Sequence, residues 1–248
     1  MTLEQFFAEN REVAVAFSGG VDSAYLLYAA KRYAARVKAY YVSTAFQPAF
    51  ELEDAWRLAN ELGTDMQVLH VDVLMSGAVV ANPPDRCYHC KNTLFRQILR
   101  AAENDGFPVL LDGTNASDDA GDRPGMRALR ELSVRSPLRE CGLTKAEIRR
   151  LSREAGLFTW DKPAYACLST RIRTGEEITL QKLKQTEKAE GFLFGLGFRD
   201  FRVRMVDNTA KLELRETDLP LLLENREKIV TELRKDYDSV LLNLEVRK

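Results

Sequence analysis

A short segment rich in glycine and serine has the composition of an anion-binding loop. It reads Ser18-Gly19-Gly20-Val21-Asp22-Ser23. Glycine lacks a Cβ atom, so Gly19 and Gly20 would allow the backbone to approach an anion closely. A helix beginning after the loop would add unpaired N–H groups and the positive end of its dipole, and the serine hydroxyl groups would add donors. The pattern predicts a loop that binds phosphate groups.

Asp22 is the exception among these residues, because a carboxylate is repelled by phosphate. A divalent cation between the two would remove the repulsion, and we therefore assign Asp22 to Mg²⁺. The sequence contains neither Gly-x-x-x-x-Gly-Lys-Ser/Thr nor Gly-x-Gly-x-x-Gly, which excludes the usual nucleotide hydrolases and dinucleotide-binding proteins. The alternative interpretation of the loop is a turn that only caps a helix.

Three of the four cysteines form a second group that could carry chemistry. Cys87 and Cys90 make a Cys-x-x-Cys pair, and Cys167 follows much later in the chain. In a reducing compartment such a pair indicates metal, cluster or redox chemistry before a structural disulfide. A structural zinc with His89 as a further ligand and a redox disulfide between Cys87 and Cys90 are two specific alternatives. Cys141 stands alone and is expected to be partly buried.

The elements that must position these groups alternate between strand and helix over the first two thirds of the chain. Apolar runs predict buried strands, and apolar residues at helical spacing predict helices between them. The predicted strands are 12–17, 37–43, 66–71 and 108–111, and the predicted helices are 23–33, 51–62, 88–103 and 144–155. Thr144 and Glu147 have the spacing of a capping box. This alternation predicts an α/β fold whose parallel sheet is covered by helices on both faces.

The pattern changes near residue 174, where a smaller α+β C-terminal domain is predicted to begin. Its elements are a helix at 179–193, strands at 201–206 and 210–215, a helix at 226–235 and a strand at 239–246. The boundary is expected within residues 171–178, which gives domains of residues 1–172 and 173–248.

Two arginines share one face of the first strand in this smaller domain, because alternate residues of a strand point to the same side. If Asp207-Asn208 forms a two-residue turn, Arg202 lies opposite Glu213 on the next strand. Arg202 and Arg204 beside a carboxylate could bind a phosphate group through paired hydrogen bonds. The alternative is a solvated strand face with ion pairs across the hairpin.

The composition of the chain indicates which classes of protein it can belong to. The 248 residues are 45% hydrophobic, enough for one large core and a smaller one. The formal net charge of −1 argues against broad binding of nucleic acid or of an anionic membrane. No run of about 18 apolar residues occurs, and the N-terminus lacks the pattern of a secretory signal. A cytoplasmic protein is therefore expected.

The loop motif resembles that of the PP-loop ATP pyrophosphatase superfamily, and the resemblance covers roughly residues 10 to 170. It implies an adenine nucleotide alpha hydrolase-like sheet with ATP at the carboxyl ends of its strands. A substrate oxygen would attack the α-phosphate, and the loop would stabilise the departing pyrophosphate. The ends of the second and fourth strands would flank the adenosine. The residues implied to bind the nucleotide are Ala16, Phe17, Ser18, Gly19, Gly20, Val21, Ser23, Val42, Ser43, Gly113, Thr114 and Asn115.

Further segments are similar, in order, to the LarE family of ATP-dependent sulfur transferases. They are Asn82-Pro83-Pro84-Asp85-Arg86-Cys87-Tyr88-His89-Cys90-Lys91, Asp112-Gly113-Thr114-Asn115 with Gly121-Asp122-Arg123-Pro124-Gly125, Arg135-Ser136-Pro137-Leu138, and Trp160-Asp161-Lys162-Pro163-Ala164-Tyr165-Ala166-Cys167-Leu168-Ser169-Thr170-Arg171. The resemblance implies that ATP adenylates a carboxylate of pyridinium-3,5-dicarboxylic acid mononucleotide and that sulfur then replaces AMP. The thiocarboxylate product would belong to the biosynthesis of the nickel-pincer nucleotide of lactate racemase.

The same resemblance implies further residues and partners. The residues associated with the substrate are Glu190, Arg202, Arg204 and Glu213. The partners are a sulfide source, a downstream nickel-inserting enzyme of the same pathway, and other copies of the chain in a homo-oligomer.

Branches of the family differ in the source of the sulfur that they transfer. In one branch a single cysteine at the position of Cys167 gives up its own sulfur, and that branch lacks the Cys-x-x-Cys pair. This sequence has the pair. The resemblance then implies a [4Fe–4S] cluster on Cys87, Cys90 and Cys167, whose open iron could hold an extra sulfide. The catalytic residues would be these three cysteines and Asp22, and sacrifice of the Cys167 sulfur is the alternative.

Three other functions could use the same loop. A tRNA-thiolating enzyme would also combine a PP-loop with cysteines, although the near-neutral charge gives an RNA backbone little to bind. An amide-forming synthetase would not need three cysteines. A nucleotide-binding sensor would bind ATP without releasing pyrophosphate.

Overall fold

The computed structural model describes residues 1–118 and 124–247, which contain two separate sheets. The strands are β1 (Glu12–Ala16), β2 (Arg36–Ser43), β3 (Met66–His70), β4 (Val109–Leu111), β5 (Arg202–Val206), β6 (Thr209–Glu213) and β7 (Ser239–Leu242). The helices are α1 (Leu3–Glu9), α2 (Val21–Tyr33), α3 (Ala49–Glu61), α4 (Gly77–Val80), α5 (Arg86–Asn104), α6 (Pro124–Glu131), α7 (Pro137–Glu140), α8 (Lys145–Glu154), α9 (Leu180–Gly195), α10 (Leu219–Glu224) and α11 (Arg226–Leu233). Every strand predicted from the sequence is present, although the last one ends at Leu242 rather than at 246.

The chain divides into two compact units. The first comprises Met1–Val73 and Asp85–Lys162, and the second comprises Leu74–Pro84 and the chain from Pro163 onward. This division comes earlier than the boundary expected within residues 171–178, and it assigns a short stretch of the N-terminal half to the second unit.

Long-range backbone pairing accounts for the assignment of residues 74–84 to the second unit. Gly175 N donates to the Asn82 carbonyl at 2.8 Å, and Ile178 N donates to the Val80 carbonyl at 2.9 Å. These bonds join residues almost a hundred positions apart, and a local pattern of apolar residues carries no information about them.

The sheet of the first unit is parallel, as predicted, and its order is β3-β2-β1-β4. β1 lies between β2 and β4, so the strand order reverses at this point. A crevice forms at the carboxyl end of such a strand, because the connections leave its two sides in opposite directions. The loop that follows β1 therefore begins at the switch point, with the ends of β2 and β4 on either side.

Helices cover both faces of this sheet. Val13 and Val15 of β1 pack in a core with residues of α1, α2, α3 and α8. Ala14 packs on the opposite face with Ile98 and Ala102 of α5. A strand buried on both faces does not alternate between apolar and polar residues, which is why residues 13–17 form a continuous apolar run. The predicted α/β architecture is confirmed.

The second unit contains a smaller sheet of order β5-β6-β7. β5 and β6 are antiparallel, and Val206 pairs with Thr209 across a two-residue turn in which Asp207 has a φ of 52°. β7 runs parallel to β6. The core of this unit contains Leu193, Phe198, Phe201, Val203, Leu212, Ile229 and Leu233. The predicted hairpin and its register are confirmed, since Arg202 pairs with Glu213.

The sequence does not predict the short helices α1, α4, α6, α7 and α10. Each has eight residues or fewer, and such a segment completes too few turns for an apolar stripe to repeat. The motif residues Gly121-Asp122-Arg123 lie outside the described residues. Within the part of the chain that the structure describes, no helix is both long enough and apolar enough to span a membrane.

Candidate active site

The predicted phosphate loop connects β1 to α2. β1 ends at Ala16, and α2 begins at Val21 with Gly20 as its N-cap. Gly19 has a φ of +73°, and a Cβ atom at this position would lie 3.1 Å from the Glu51 carbonyl oxygen. An L-residue would be strained at this φ and crowded at this distance. The tight passage from strand to helix therefore depends on glycine.

Ser18 and Ser23 close the loop through their hydroxyl groups. The two Oγ atoms lie 3.0 Å apart, and Ser18 N donates to Ser23 Oγ at 3.2 Å. Gly20 N donates to Ser18 Oγ at 3.4 Å, while Ser23 Oγ can donate to the Gly20 carbonyl. The first N–H groups of α2 have no acceptor within the helix. The loop thus offers main-chain donors at the positive end of a helix dipole, which suits an anion.

Phe17 and Val21 of the predicted nucleotide set are buried apolar residues, so they can offer a ligand only their main-chain groups. They are 3% and 4% exposed and belong to the hydrophobic core. At the end of β2, Val42 packs beside the core that faces α5, and Ser43 pairs with His70 of β3. The ends of β1 and β2 are neighbours because Ala16 pairs with Tyr40.

The segment after β4 lies directly against the start of α2. A Cβ atom at Gly113 would lie 2.9 Å from Ser23 N and 3.2 Å from Ser23 Cα, so this approach also depends on glycine. Asn115 Nδ2 donates to Asp22 Oδ1 at 3.3 Å. The structure brings residues from the end of β4 to the loop after β1, which is the juxtaposition that the crevice rule predicts.

Asp112 organises this segment, although the sequence alone assigns it no separate role. Its carboxylate is 6% exposed and accepts hydrogen bonds from the hydroxyl groups of Thr114 and Ser136, both at 2.5 Å. Ser136 belongs to the segment Arg135-Ser136-Pro137-Leu138 and precedes α7. The buried carboxylate therefore fixes the conformation of the residues that follow β4.

Lys145 lies beside the phosphate loop and is not among the site residues predicted from the sequence. It is the first residue of α8, and its Nζ lies 2.5 Å from Asp22 Oδ2. The Thr144–Glu147 capping box predicted for α8 is present and fixes where the helix begins. A lysine in the first turn of a helix faces the positive end of the dipole, which disfavours it unless an anion is near. A lysine at this unfavourable position is the feature of the sequence that could have indicated an anion beside the start of α8.

Lys162 is a second cation beside the loop that the sequence did not single out. Its Nζ lies 2.6 Å from Asp54 Oδ2 of α3 and 3.3 Å from the Gly19 carbonyl oxygen. Its side chain is largely buried, at 16% exposed. Two lysines therefore flank the phosphate loop, and both pair with carboxylates in this structure.

The Cys-x-x-Cys pair lies at the start of α5 in the first unit. Cys87 and Cys90 are three residues apart on one helix, so their side chains lie on the same face. The Arg86 guanidinium lies 3.9 Å from Cys87 Sγ. None of the four cysteines, all of which lie in the described part of the chain, forms a disulfide bond, and Cys141 is half-buried against the hydrophobic core, as predicted.

The residues described by the structure do not assemble a metal site. Among residues 1–118 and 124–247, no group of three or more His, Cys, Asp or Glu side chains could hold a metal ion. His89, the residue considered as a zinc ligand, has its Nε2 3.4 Å from Asp85 Oδ2, one turn away on the same helix.

Cys167 lies in the second unit, immediately before a short 3₁₀ helix at Leu168–Arg171. Its Sγ lies 3.0 Å from Ser169 Oγ, and its carbonyl accepts a hydrogen bond from Thr170 Oγ1 at 2.8 Å. The side chain is half-buried. The cysteine is thus held in a compact turn with one hydroxyl group beside its sulfur.

Glu190 is buried in an ion pair that the sequence did not predict. Its carboxylate accepts two hydrogen bonds from Arg171, at 2.7 and 3.0 Å, and the two side chains are 2% and 0% exposed. It also accepts from Val203 N at 2.9 Å and from the Tyr165 hydroxyl group. Four donors therefore surround the carboxylate that the family resemblance associates with the substrate.

Arg202 and Arg204 are hydrogen-bonded within the second unit. Arg202 is 6% exposed and donates to the carbonyls of Phe201 and Ala164, both at 2.6 Å. Burial, together with the nearby Arg171 and Arg247 charges, lowers the pKa of Arg202 to about 10. The solvated strand face considered as the alternative is therefore not what the structure has at Arg202.

Arg204 is more accessible than Arg202. Its Nε donates to Glu213 Oε1 at 2.8 Å, and its Nη1 donates to the Thr170 carbonyl at 2.6 Å. Glu213 forms its ion pair across the hairpin with Arg204. In the strand register, however, Glu213 lies opposite Arg202. The side chain of Arg204 remains 40% exposed.

Similarity to known proteins extends over most of the chain. Residues 4–118 match the family model described as asparagine synthase. The chain is 34% identical over 217 residues to the pyridinium-3,5-bisthiocarboxylic acid mononucleotide synthase of Lactiplantibacillus plantarum, covering 87% of this chain and 79% of that protein. It is 39% identical over 215 residues to an uncharacterized protein of Synechocystis sp., covering 86% and 80%. It is 30% identical over 240 residues to an uncharacterized protein of Methanocaldococcus jannaschii, covering 96% and 91%.

These matches are too long to be confined to the first unit, since that unit ends at Lys162. The match to the synthase covers 87% of the chain, so it includes much of the second unit. The match to the M. jannaschii protein covers 96% of the chain, so it also includes the phosphate loop. With this similarity and with a parallel sheet whose first loop has the PP-loop geometry, the chain belongs to the LarE family, which includes the synthase of L. plantarum.

Proposed function

We propose that the protein is an ATP-dependent sulfur transferase acting on pyridinium-3,5-dicarboxylic acid mononucleotide. The observation that carries the proposal is the phosphate loop of residues 18–23 in a chain 34% identical to a pyridinium-3,5-bisthiocarboxylic acid mononucleotide synthase. The loop is suited to pyrophosphate, and the relative's name identifies a product in which carboxylates carry sulfur.

The first half of the reaction activates the substrate. A carboxylate oxygen attacks the α-phosphate of ATP, the bond to the β-phosphate oxygen breaks, and pyrophosphate leaves with the electron pair. The charge that develops on pyrophosphate is stabilised by the first N–H groups of α2, the Ser18 and Ser23 hydroxyl groups, and the flanking cations. Lys145 and Lys162 are the cations within reach of the loop.

Asp22 fits a role as ligand to Mg²⁺. Its carboxylate is a hard oxygen donor at the loop and is 24% exposed. The bound ion would neutralise charge on the phosphate oxygens. Lys145 Nζ lies beside the same carboxylate, so a bound ion would take the place of the lysine on Asp22 and leave the lysine to contact a phosphate oxygen.

The adenosine belongs in the crevice on either side of β1. The residues proposed to line it are Val42 and Ser43 after β2, and Gly113, Thr114 and Asn115 after β4. The close approach of Gly113 to Ser23 and the bond from Asn115 to Asp22 support this assignment.

The second half of the reaction replaces AMP by sulfur. In the sacrificial route, the Cys167 thiolate attacks the acyl carbon, a C–S bond forms, and the C–O bond to AMP breaks with AMP taking the electron pair. Loss of the Cys167 α-proton to a base then cleaves the Cβ–S bond. The products are a thiocarboxylate and a dehydroalanine at position 167.

The preferred source of sulfur is a [4Fe–4S] cluster held by Cys87, Cys90 and Cys167, which when bound would supply a sulfide from its open iron. The donor set supports it, because thiolates are the usual cluster ligands and Cys87 and Cys90 share one face of α5. The role of Cys167 in this route is to hold the cluster rather than to be consumed.

The substrate phosphate is assigned to Arg202 and Arg204. Of the two carboxylates associated with the substrate, Glu213 pairs with Arg204 and Glu190 pairs with the neighbouring Arg171. The exposed part of Arg204 supports this assignment. We also propose a homo-oligomer, a separate sulfide donor and a downstream nickel-inserting enzyme. A cytoplasmic location is proposed because none of the four cysteines, all in the described residues, forms a disulfide bond.

The experiment that tests the proposal follows both halves of the reaction. The anaerobically purified protein is incubated with ATP, Mg²⁺ and the pyridinium dicarboxylate mononucleotide, and pyrophosphate, AMP and the product mass are measured. We expect pyrophosphate and a product in which sulfur replaces oxygen. Release of pyrophosphate only with tRNA would identify a tRNA-thiolating enzyme, and its release with ammonia as the nucleophile would identify an amide synthetase.

The sulfur source is tested on the same protein. A cluster predicts brown protein with about four irons per chain and loss of the iron in Cys87→Ser, while Cys141→Ser serves as the control that keeps it. Colourless protein in which Cys167 loses the mass of hydrogen sulfide during one turnover would replace the cluster with the sacrificial route.

A further inference from the structure

The segment that carries Cys167 is held by arginines through its main chain. Three guanidinium groups donate to carbonyl oxygens on both sides of the cysteine. The bonds are Arg171 Nη1 to Ala166 at 2.9 Å, Arg202 Nη2 to Ala164 at 2.6 Å, and Arg204 Nη1 to Thr170 at 2.6 Å. Hydrogen bonds from charged donors are stronger than neutral ones. The main chain around Cys167 is therefore fixed by Arg202 and Arg204 of β5 and by Arg171, the last residue of the 3₁₀ helix that follows the cysteine.

Arg171 differs from the other two arginines because it is buried together with its carboxylate partner. Its guanidinium is completely buried and forms a two-bond pair with Glu190 of α9. Glu190 is in turn bound by the main-chain N–H of Val203 in β5. Arg171 therefore connects the turn of Cys167 to a helix and a strand, the rigid elements of the second unit.

The contacts of Arg171 with the turn are made by one nitrogen atom. Nη1 donates to the carbonyl of Ala166 and to Thr170 Oγ1 at 2.8 Å, and it lies 3.5 Å from the Cys167 carbonyl. These three bonds reach the main chain and the Thr170 hydroxyl group on either side of the Cys167 sulfur. They therefore act on the position of the main chain that carries the sulfur.

We propose that Arg171, fixed by Glu190, is a positioning residue for Cys167 in sulfur transfer. This inference rests on the proposed function and deepens it. The pair holds the turn in the geometry from which the Cys167 sulfur either attacks the adenylate or binds the cluster. The residues that act on ATP in the adenylation step belong to the first unit, and the arginines assigned to the substrate phosphate are Arg202 and Arg204, so adenylation does not need the Arg171 guanidinium.

The first test measures the turn itself and requires no substrate. Hydrogen–deuterium exchange of peptides covering residues 164–172 is compared between the full-length protein and Arg171→Gln. The control variant is Arg215→Gln, which removes an arginine that is paired with Asp200 in the same unit and is 52% exposed. We expect faster exchange of the turn in Arg171→Gln alone. Unchanged exchange of the turn would overturn the proposal.

The second test separates the two halves of the reaction. In Arg171→Gln we expect the rate constant of thiocarboxylate formation to fall about a hundred-fold, since a misplacement near 1 Å has effects of this size. The rate of pyrophosphate release and the KM for ATP should match those of Arg215→Gln. A parallel loss of both halves would show a general structural role and overturn the proposal.

A milder variant keeps the proposal testable if Arg171→Gln does not fold. Thr170→Val retains the shape of the side chain but removes the hydroxyl group that lies between Arg171 Nη1 and the Cys167 carbonyl. The same selective loss of sulfur transfer is expected, to a smaller extent. If the unsubstituted protein forms no thiocarboxylate, the proposed function fails, whereas the exchange measurement still decides the positioning role.

Discussion

Lys145 Nζ lies 2.5 Å from Asp22 Oδ2, so a lysine at the start of α8 neutralises the carboxylate in the first turn of α2. Each residue is at the positive end of its own helix, where an aspartate is favourable and a lysine is not. The pair therefore brings together a ligand suited to Mg²⁺ and a cation suited to phosphate. These are the two groups that the proposed binding of ATP with Mg²⁺ would use.

Replacement of Lys145 should slow pyrophosphate release. In Lys145→Met the departing pyrophosphate loses one charged donor, and loss of such a donor lowers kcat by about a hundred- to a thousand-fold. The measurement is the initial rate of pyrophosphate release at saturating ATP. Lys184→Met changes an exposed lysine of α9 in the second unit and serves as the control. An unchanged rate in Lys145→Met would remove the lysine from the mechanism.

Removal of the metal ion should abolish the first half-reaction. We expect EDTA to stop pyrophosphate release and added Mg²⁺ to restore it. In Asp22→Asn the Mg²⁺ concentration for half-maximal rate should rise roughly ten-fold or more, because the amide is a weaker ligand than the carboxylate. A titration of rate against Mg²⁺ measures this. The same half-maximal concentration in both proteins would contradict the assignment of Asp22.

Packing at the loop can be tested by replacing Gly113, with Gly191 as a matched control elsewhere in the chain. A methyl group at Gly113 would meet the backbone of Ser23 at 2.9 Å. Gly113→Ala should lower the free energy of unfolding by about 1–3 kcal/mol and weaken ATP binding. Gly191 lies inside α9 with open space around it, so Gly191→Ala should raise the free energy of unfolding by about 0.5–1 kcal/mol. Denaturant unfolding measures the free energy of unfolding of both variants, and titration with ATP measures their binding of ATP. If Gly113→Ala and Gly191→Ala have the same effects, the close approach of Gly113 to Ser23 is contradicted.

Glu140 should contribute to acid sensitivity. Hydrogen bonds from Arg135, aided by the Ser136 N–H and opposed by partial burial, hold the pKa of Glu140 below its ordinary value of 4.5. A carboxyl with a lowered pKa stabilises the folded state above the pKa of the unfolded chain, and this stability is lost as the pH falls through the folded-state pKa.

The free energy of unfolding of Glu140→Gln should therefore be lower than that of the unsubstituted protein at pH 7. The difference should shrink below pH 4.5 as Glu140 is protonated. Urea unfolding between pH 7 and pH 3 measures it. Glu53→Gln, at an exposed position of α3, is the control. A difference that stays constant with pH would contradict the role of the Arg135–Glu140 pair.

Local patterns were sufficient for the strands and the longer helices. Residues 13–17 are apolar throughout because both faces of β1 are buried, and Thr144 with Glu147 marks the start of α8 through bonds between near neighbours. The hairpin of β5 and β6 is equally local, and its register follows from the Asp207-Asn208 turn. The helices α4 and α7, with four residues each, lie below the length at which periodicity can be recognised.

The amino-acid pattern was enough to predict the phosphate loop, the parallel sheet, the set of three cysteines and the family. Each of these depends on residue type or on spacing along a few turns of chain. Three features became apparent only in the folded chain: Lys145 reaches Asp22, Arg171 pairs with Glu190, and residues 74–84 belong to the second unit. Contacts between residues distant in the chain depend on how strands and helices pack, and charged side chains leave no periodic pattern that reveals their partners.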